Sequence, residues 1–171
     1  MKTAEEVTAM ERKAPRSLAL AGMILSLAVV CLYILGLLHT GRQSTVPFEN
    51  VSKSVFAAVD TSTMQPADNQ MIRRLYGLQP ADYEGVALYY PVTNMGAEEI
   101  LVIKLSDMSQ QEAVVTALEQ RVADQINVFE GYGAEQTALL QNAIVDVQGN
   151  YILLAVHPDG EAARAAFRAA L

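Results

Sequence analysis

Few side chains in this sequence are suited to nucleophilic or metal chemistry. The chain has 2 His and 1 Cys. His39 borders a long apolar stretch, and His157 stands directly before Pro158, where an ordinary residue leaving a strand is expected. Because an activated serine, cysteine or threonine usually needs a base, most often histidine, the sequence does not indicate nucleophilic catalysis. The same shortage argues against a zinc site with cysteine and histidine ligands.

Carboxylates offer the remaining route to acid and base chemistry. They stand close together at three places: Asp82 with Glu84, Glu98 with Glu99, and Asp159 with Glu161. Neighbours on a strand point to opposite faces, and acidic residues at the start of a helix complement its dipole. We therefore interpret all three pairs as solvated surface. We predict no catalytic residue, no cofactor and no metal, since Asp60-Thr61-Ser62-Thr63 lacks the spacing of a calcium loop.

Tyrosine is the aromatic residue abundant enough to form a recognition surface. The chain has 7 Tyr and 4 Phe but no Trp. Tyrosine often anchors binding surfaces because it combines apolar area with a polar tip. We take Tyr83, Tyr132 and Tyr89 as the candidate interaction surface. The alternative is a structural role, since Tyr89 and Tyr90 are neighbours on a predicted strand and one of them should face the core.

The charge of the chain disfavours nucleic acid as a partner. From Gln43 to Leu171 there are 7 basic and 16 acidic residues, and no basic stripe. Neutralisation of phosphates supplies most of the affinity for nucleic acid, so we expect no such partner. Gly131-Tyr132-Gly133 also lacks the further glycine of a dinucleotide-binding fingerprint.

The uncharged stretch from Ser17 to Leu38 predicts a transmembrane helix that contacts the lipid bilayer. Its 22 residues would rise about 33 Å as a helix, enough to cross the hydrocarbon core. Arg12, Lys13 and Arg16 precede it, and basic residues beside a spanning helix tend to stay in the cytoplasm. We therefore expect a single-pass protein of the cell membrane with a cytoplasmic N-terminus and an extracytoplasmic C-terminal domain. A cleaved signal peptide is the alternative, but the apolar run of a signal peptide is typically shorter than the stretch from Ser17 to Leu38.

These features divide the chain into four segments. Residues 1–16 form a short cytoplasmic tail, 17–38 the transmembrane helix, 39–47 a polar linker and 48–171 a single extracytoplasmic domain.

Hydrophobic spacing within residues 48–171 predicts helices before and between paired strands. A first helix begins at Phe48, and a second runs from the N-cap Asp68 to the C-cap Gly77. A long helix follows the capping box Ser109-x-x-Glu112. Its apolar stripe consists of Val115, Leu118, Val122, Ile126 and Phe129.

Two hairpins complete the predicted domain. Val86 to Val92 pairs with Glu99 to Leu105, and Ile144 to Gln148 pairs with Tyr151 to Val156 across Gly149-Asn150. A last helix opens at Pro158-Asp159. Runs of paired strands with helices between them predict an α+β fold, in which the long helix covers a four-stranded antiparallel sheet.

Several turn motifs resemble those of an uncharacterised domain-of-unknown-function family. The motifs are Tyr76-Gly77-Leu78, Asp82-Tyr83, Ala97-Glu98-Glu99-Ile100 leading to Lys104, Gly131-Tyr132 and Gly149-Asn150-Tyr151. The resemblance covers about residues 48–171. That family occurs on short membrane-anchored or lipoprotein-type proteins of anaerobic Gram-positive bacteria, which implies an extracytoplasmic location. It implies no activity, ligand or catalytic residue.

The sequence therefore favours a non-enzymatic domain that binds another envelope protein or a cell-wall component. An envelope-acting enzyme with a carboxylate-based site is one alternative. A structural subunit of a membrane complex, with Gly22 on its contact face, is another. An exposed apolar or tyrosine-rich patch would favour binding, whereas an acidic pocket would favour the enzyme.

Overall fold

The computed structural model describes residues 22–32 and 43–171. Residues 22–32 are helical, and this stretch is called α1. No helix in the described ranges is long and apolar enough to cross a membrane, so the transmembrane helix predicted over Ser17 to Leu38 is corrected. The other residues of that prediction, the tail 1–16 and linker residues 39–42 lie outside the described ranges.

The chain divides into two compact units, residues 1–41 and Arg42–Leu171, and the second is an α+β domain. Its helices are α2 (Phe48–Ala57), α3 (Asn69–Tyr76), α4 (Gln111–Phe129), α5 (Ala134–Gln141) and α6 (Gly160–Ala169), with 3-10 turns at Pro80–Asp82 and Met108–Gln110. Its strands are β1 (Met64–Pro66), β2 (Gly85–Pro91), β3 (Glu99–Lys104), β4 (Ile144–Gln148) and β5 (Tyr151–Val156). The α+β class and both predicted hairpins are confirmed.

The antiparallel sheet has five strands, in the order β1-β2-β3-β5-β4, and the predicted four-stranded sheet is wrong. The additional strand is β1, which pairs with the end of β2 from Met64 opposite Pro91 to Pro66 opposite Tyr89. Strand β1 was not predicted from the sequence because a strand of three residues is too short to show an alternating pattern. Pro66 lacks a backbone N–H donor, and such a residue is tolerated because β1 is the edge strand.

Helices cover both faces of the sheet, whereas the sequence predicted a cover of one long helix. Side chains alternate along β3: Leu101 and Ile103 face α3, α4 and α5, while Ile100 and Val102 face α2 and α6. Strand β5 lies between β3 and β4 and is buried along its whole length. The predicted central position of that strand is confirmed.

The long helix α4 begins after a different cap from the predicted one. The capping box is formed by Asp107 and Gln110 around the 3-10 turn, not by Ser109 and Glu112. Asp107 accepts from the Ser109 N–H at 2.8 Å, and the Gln110 side chain accepts from the Asp107 N–H at 3.1 Å. An aspartate and a glutamine can satisfy free donors just as a serine and a glutamate do, so the sequence offered two overlapping boxes.

The two ends of the sheet have different surroundings. At one end, called here the Lys104 end, β3 finishes at Lys104 opposite Tyr151, where β5 begins. At the other, called here the Glu99 end, β3 begins at Glu99 opposite Val156. The first described residues of the domain contact the Lys104 end, because the Val46 carbonyl accepts from the Tyr151 hydroxyl at 2.8 Å.

Candidate functional site

The two adjacent strand tyrosines face opposite sides of the sheet. Tyr89 lies on the side of α2, with its ring centroid 4.6 Å from that of Phe56. Tyr90 lies on the side of α3 and α4. The predicted opposite orientation of the two tyrosines is therefore confirmed, and the candidate residue Tyr89 lies on the α2 side of the sheet.

Tyr83 and Tyr132 belong to opposite ends of α4. Tyr83 precedes β2 beside the start of α4, where the Gln110 side chain donates to the Asp82 carbonyl at 2.9 Å. Tyr132 follows the end of α4 and is 63% exposed. A helix of 19 residues separates these ends by about 28 Å. The structure therefore does not bring Tyr83, Tyr89 and Tyr132 together.

A cleft of about 290 Å³ opens at the Glu99 end, between α3, α4 and the loop joining β2 to β3. We call it the Arg74 cleft. Its lining side chains come from α3, from α4 and from the strands and their loop: Met71, Arg74, Leu75, Tyr90, Pro91, Thr93, Asn94, Glu99, Arg121, Gln125, Val128 and Phe129.

Helix periodicity explains which residues of α3 and α4 reach the cleft. On α3 they are Met71, Arg74 and Leu75, at helix spacings of three and four residues. Helix α3 is held at both ends as predicted: Asp68 accepts from the Met71 N–H at 2.7 Å, and Gly77 adopts φ 69°. Left-handed backbone of this kind suits glycine, which has no Cβ.

A buried ion pair forms the floor of the Arg74 cleft. Arg121 donates through Nε and Nη2 to the two carboxylate oxygens of Glu99. The Tyr76 hydroxyl donates to Glu99 Oε2 at 2.5 Å. Oriented with its oxygen toward Arg121, the Gln125 amide accepts from the same guanidinium. The side chains of Glu99 and Arg121 are only 5% and 17% exposed, so this is an internal pair rather than a surface one.

This network raises the pKa values of Tyr76 and Arg121. Burial, followed by the neighbouring Glu99 carboxylate, raises the pKa of Tyr76 well above its ordinary value. Burial lowers the pKa of Arg121, but hydrogen bonds and charge attraction from Glu99 outweigh it and leave that pKa raised. Tyr76 is therefore a neutral donor and Arg121 a cation at physiological pH.

The exposed large apolar side chains of residues 43–171 are Val92, Met95, Val128 and Tyr132. One of them lines the Arg74 cleft and the other three adjoin its lining residues in the chain or in packing, and we call the four the apolar border. Val128 lines the cleft itself, while Val92 and Met95 are chain neighbours of its loop residues. Tyr132 packs its ring on that of Phe129, with centroids 5.8 Å apart. Exposed apolar groups concentrated at one place are typical of an interaction site.

Tight packing shapes the loop on this border. A Cβ on Gly96 would lie 2.6 Å from the Pro91 Cβ and 2.8 Å from Glu98 Oε2. The Gly96 N–H donates to the Thr93 carbonyl at 3.2 Å, and the Ala97 N–H donates to Glu98 Oε2 at 3.0 Å. Met95 is therefore an exposed residue within a turn that the bond from Gly96 to Thr93 closes.

Both ring nitrogens of His157 have structural partners. Nε2 lies 3.0 Å from the Asp60 carbonyl oxygen, which only accepts, and Nδ1 lies 3.0 Å from the Asp159 N–H, which only donates. The ring is therefore neutral with its proton on Nε2. His157 connects the end of β5 to the loop after α2. Across the described residues, no cluster of three or more metal-ligating His, Cys, Asp or Glu side chains occurs.

Sequence reasoning missed Glu99 and Arg121. Glu99 was assigned to the solvated surface, and this was wrong, since it is 4% exposed. Two signals pointed to it: Glu99 opens a strand that is apolar on both faces, and Arg121 lies on the same helix face as Leu118. A glutamate and an arginine at such inward positions predict a buried pair.

The domain is an α+β domain with an antiparallel sheet, helices on both faces of that sheet and an open cleft at one end. Residues 57–157 match the family described as Domain of unknown function (DUF4358), and the chain belongs to this family. The predicted resemblance to an uncharacterised domain family is thereby confirmed over those residues. No curated protein and no solved structure shows significant similarity to the chain.

Proposed function

We propose that this protein is a non-enzymatic binding module that recognises a polypeptide partner at the Arg74 cleft. The observation that carries the proposal is the concentration of exposed apolar side chains of residues 43–171 around this one cleft. Residues that dominate protein interfaces are apolar and aromatic groups in a partly desolvated centre. The apolar border supplies such groups next to a guanidinium.

The size of the cleft also favours a polypeptide. At about 290 Å³ it lies just below the range typical of small-molecule sites, which enclose most of their ligand. One or two side chains of a bound segment would fill it. The rest of that segment would lie on Val92, Met95, Val128 and Tyr132.

The state of the polar groups argues against an enzyme. Glu99 is the carboxylate that lines the cleft, and Tyr76 and Arg121 already hydrogen-bond to its oxygens. A general base needs a free lone pair within reach of the substrate. An enzyme with Glu99 as its base would require this network to open.

Site-specific photocrosslinking of the full chain in its native cells tests the proposal. A photoreactive residue replaces Met95 or Tyr132, and the matched control carries it at exposed Glu112, in the first turn of α4 at the other end of that helix. We expect both border positions to capture the same partner polypeptide, identified by its mass spectrum, and Glu112 not to capture it. Equal capture at Glu112, or no polypeptide at either border position, would refute this function.

We further propose that the domain lies outside the cytoplasm, as the family resemblance led us to expect. Glu130 is exposed directly after α4, and a Glu130→Cys variant in a Cys31→Ser background carries one thiol. A membrane-impermeant maleimide should label it in intact cells. Labelling that requires lysis would place the domain inside the cell.

A further inference from the structure

We infer that the segment bound in the Arg74 cleft carries a carboxylate next to an apolar side chain, and that Arg74 binds this carboxylate. This inference rests on the proposed binding function and names its ligand class. It depends on the charges around the cleft, which are independent of the apolar border.

Arg74 is one of the few cations of the domain without a partner. Of the 7 basic residues between Gln43 and Leu171, four form ion pairs: Lys104, Arg121, Arg164 and Arg168. Arg73 donates to the Gln79 side chain at 3.3 Å. Within the described part of the chain, Arg74 and Lys53 have neither an ion pair nor a side-chain hydrogen bond. Lys53 lies on α2, across the sheet from the cleft.

The ion pair below Arg74 leaves its charge uncompensated. Glu99 is bonded to Arg121 and Tyr76, so its carboxylate is already shared with one guanidinium. The side chains that line the cleft therefore include two cations and one carboxylate, although residues 43–171 carry 16 acidic and 7 basic residues. A guanidinium with free donors binds a planar carboxylate through two parallel hydrogen bonds.

The neighbours of Arg74 define the rest of the ligand. Leu75 and Met71 flank it on α3, and Val128 and Phe129 face them from α4. A carboxylate in contact with Arg74 thus has apolar surface on both sides. An acidic residue, or a C-terminal carboxylate, followed or preceded by an apolar side chain fits both features.

Selection of phage-displayed random peptides on the purified full chain tests the inference. Enriched peptides are synthesised, and their affinities are measured for wild type, Arg74→Gln, Lys53→Gln and Val128→Ser. Arg74, Lys53 and Val128 are exposed, so these variants should keep the fold. We expect peptides with an acidic residue beside an apolar one, with Kd raised about tenfold by Arg74→Gln and unchanged by Lys53→Gln.

The outcomes separate this inference from the function on which it rests. Peptides without acidic residues, weakened by Val128→Ser but not by Arg74→Gln, would overturn the carboxylate assignment and leave the binding function standing. Failure to enrich any peptide, or peptides insensitive to both variants, would overturn both. Self-association of the purified chain that Arg74→Gln abolishes would identify a second copy as the occupant, and would overturn the assignment to a separate partner.

Discussion

The two ends of the sheet use similar residues for opposite purposes. At the Lys104 end, an ion pair joins half-exposed Glu84 to Lys104 at 2.5 Å, and Lys104 Nζ also donates to the Val46 carbonyl at 3.3 Å. Asn150 accepts from the Ser44 N–H at 2.8 Å. The polar groups there bind one another and hold the first described segment of the domain in place.

The Glu99 end has its ion pair inside and its free groups outside. Glu99 and Arg121 are buried beneath the cleft, while Arg74 and the apolar border are exposed. Strand β3 spans about 17 Å between the two ends. The cleft therefore lies away from residues 44–46, which contact the Lys104 end. The comparison teaches that the polar groups named at one end of this sheet bond within the domain, whereas the other end leaves Arg74 and the apolar border exposed.

Removal of the buried carboxylate is expected to give the largest effect on stability. Glu99→Gln leaves the Arg121 cation buried without its counter-charge, so the free energy of unfolding should fall by about 3 kcal/mol. Urea unfolding of the full chain, followed by circular dichroism, measures this. In the double variant with Arg121→Gln the loss should be smaller than in Glu99→Gln alone. A loss below about 1 kcal/mol in Glu99→Gln would show that the pair behaves as a surface pair.

Loss of either buried tyrosine hydroxyl should have a smaller effect, with a distinctive pH dependence. Tyr76→Phe and Tyr151→Phe should each cost about 1 kcal/mol at pH 7, because the carboxylate or the carbonyl that accepts from the hydroxyl loses a bond. Burial, followed by Glu84 and Glu49, raises the pKa of Tyr151 from 10.0 to about 12.

The sign of that pH dependence follows from proton linkage. Between pH 10 and 12 the unfolded tyrosine loses its proton while native Tyr151 keeps it, so stability falls as pH rises. The contribution is fully present below pH 10 and is lost as pH passes about 12. The Tyr→Phe variants should show a shallower alkaline decline than wild type. Equal slopes would contradict the native protonation of these hydroxyls.

The ion pair at the Lys104 end should contribute less. The Glu84 side chain is 49% exposed, so solvent screens its attraction to Lys104. Glu84→Gln should therefore lower the free energy of unfolding by less than about 1 kcal/mol, in the same urea titration as Glu99→Gln. An equal loss for the two glutamates would remove the contrast between the two ends.

Substitution of the unpaired cation should have the smallest effect on stability. Arg74 is exposed and has no ion-pair partner in the described residues, so Arg74→Gln should change the free energy of unfolding by less than about 0.5 kcal/mol. Thermal unfolding of the variant beside wild type checks this. A large destabilisation would assign Arg74 to the structure of the domain instead of to its cleft.

Local signals in the sequence were sufficient for most secondary-structure elements. Asp68 and Gly77 delimit α3 because an N-cap oxygen and a left-handed glycine act within a few residues of the chain. The turn at Gly149, with φ 59°, joins β4 to β5 for the same reason. Strand β1 was not predicted because three residues are too few to show a periodic pattern.

The candidate site could not be predicted in the same way. Tyr89 and Tyr90 are equivalent in type, and only the packing of Phe56 on Tyr89 decides which of them faces the cleft side. Glu99 and Arg121 are 22 residues apart in the chain, and they meet because α4 crosses the start of β3. From the sequence, Glu99 was placed on the solvated surface and Arg121 was not singled out.

By itself, the sequence determined the α+β class, the two hairpins and the ends of α3, since periodicity and caps act over short stretches of chain. Only the tertiary structure decided that helices cover both faces, that a fifth strand joins the edge, and that Arg74 faces a cleft bordered by apolar side chains. The physical reason is that exposure and pairing depend on which elements pack together, and long-range packing leaves little trace in the spacing of neighbouring residues.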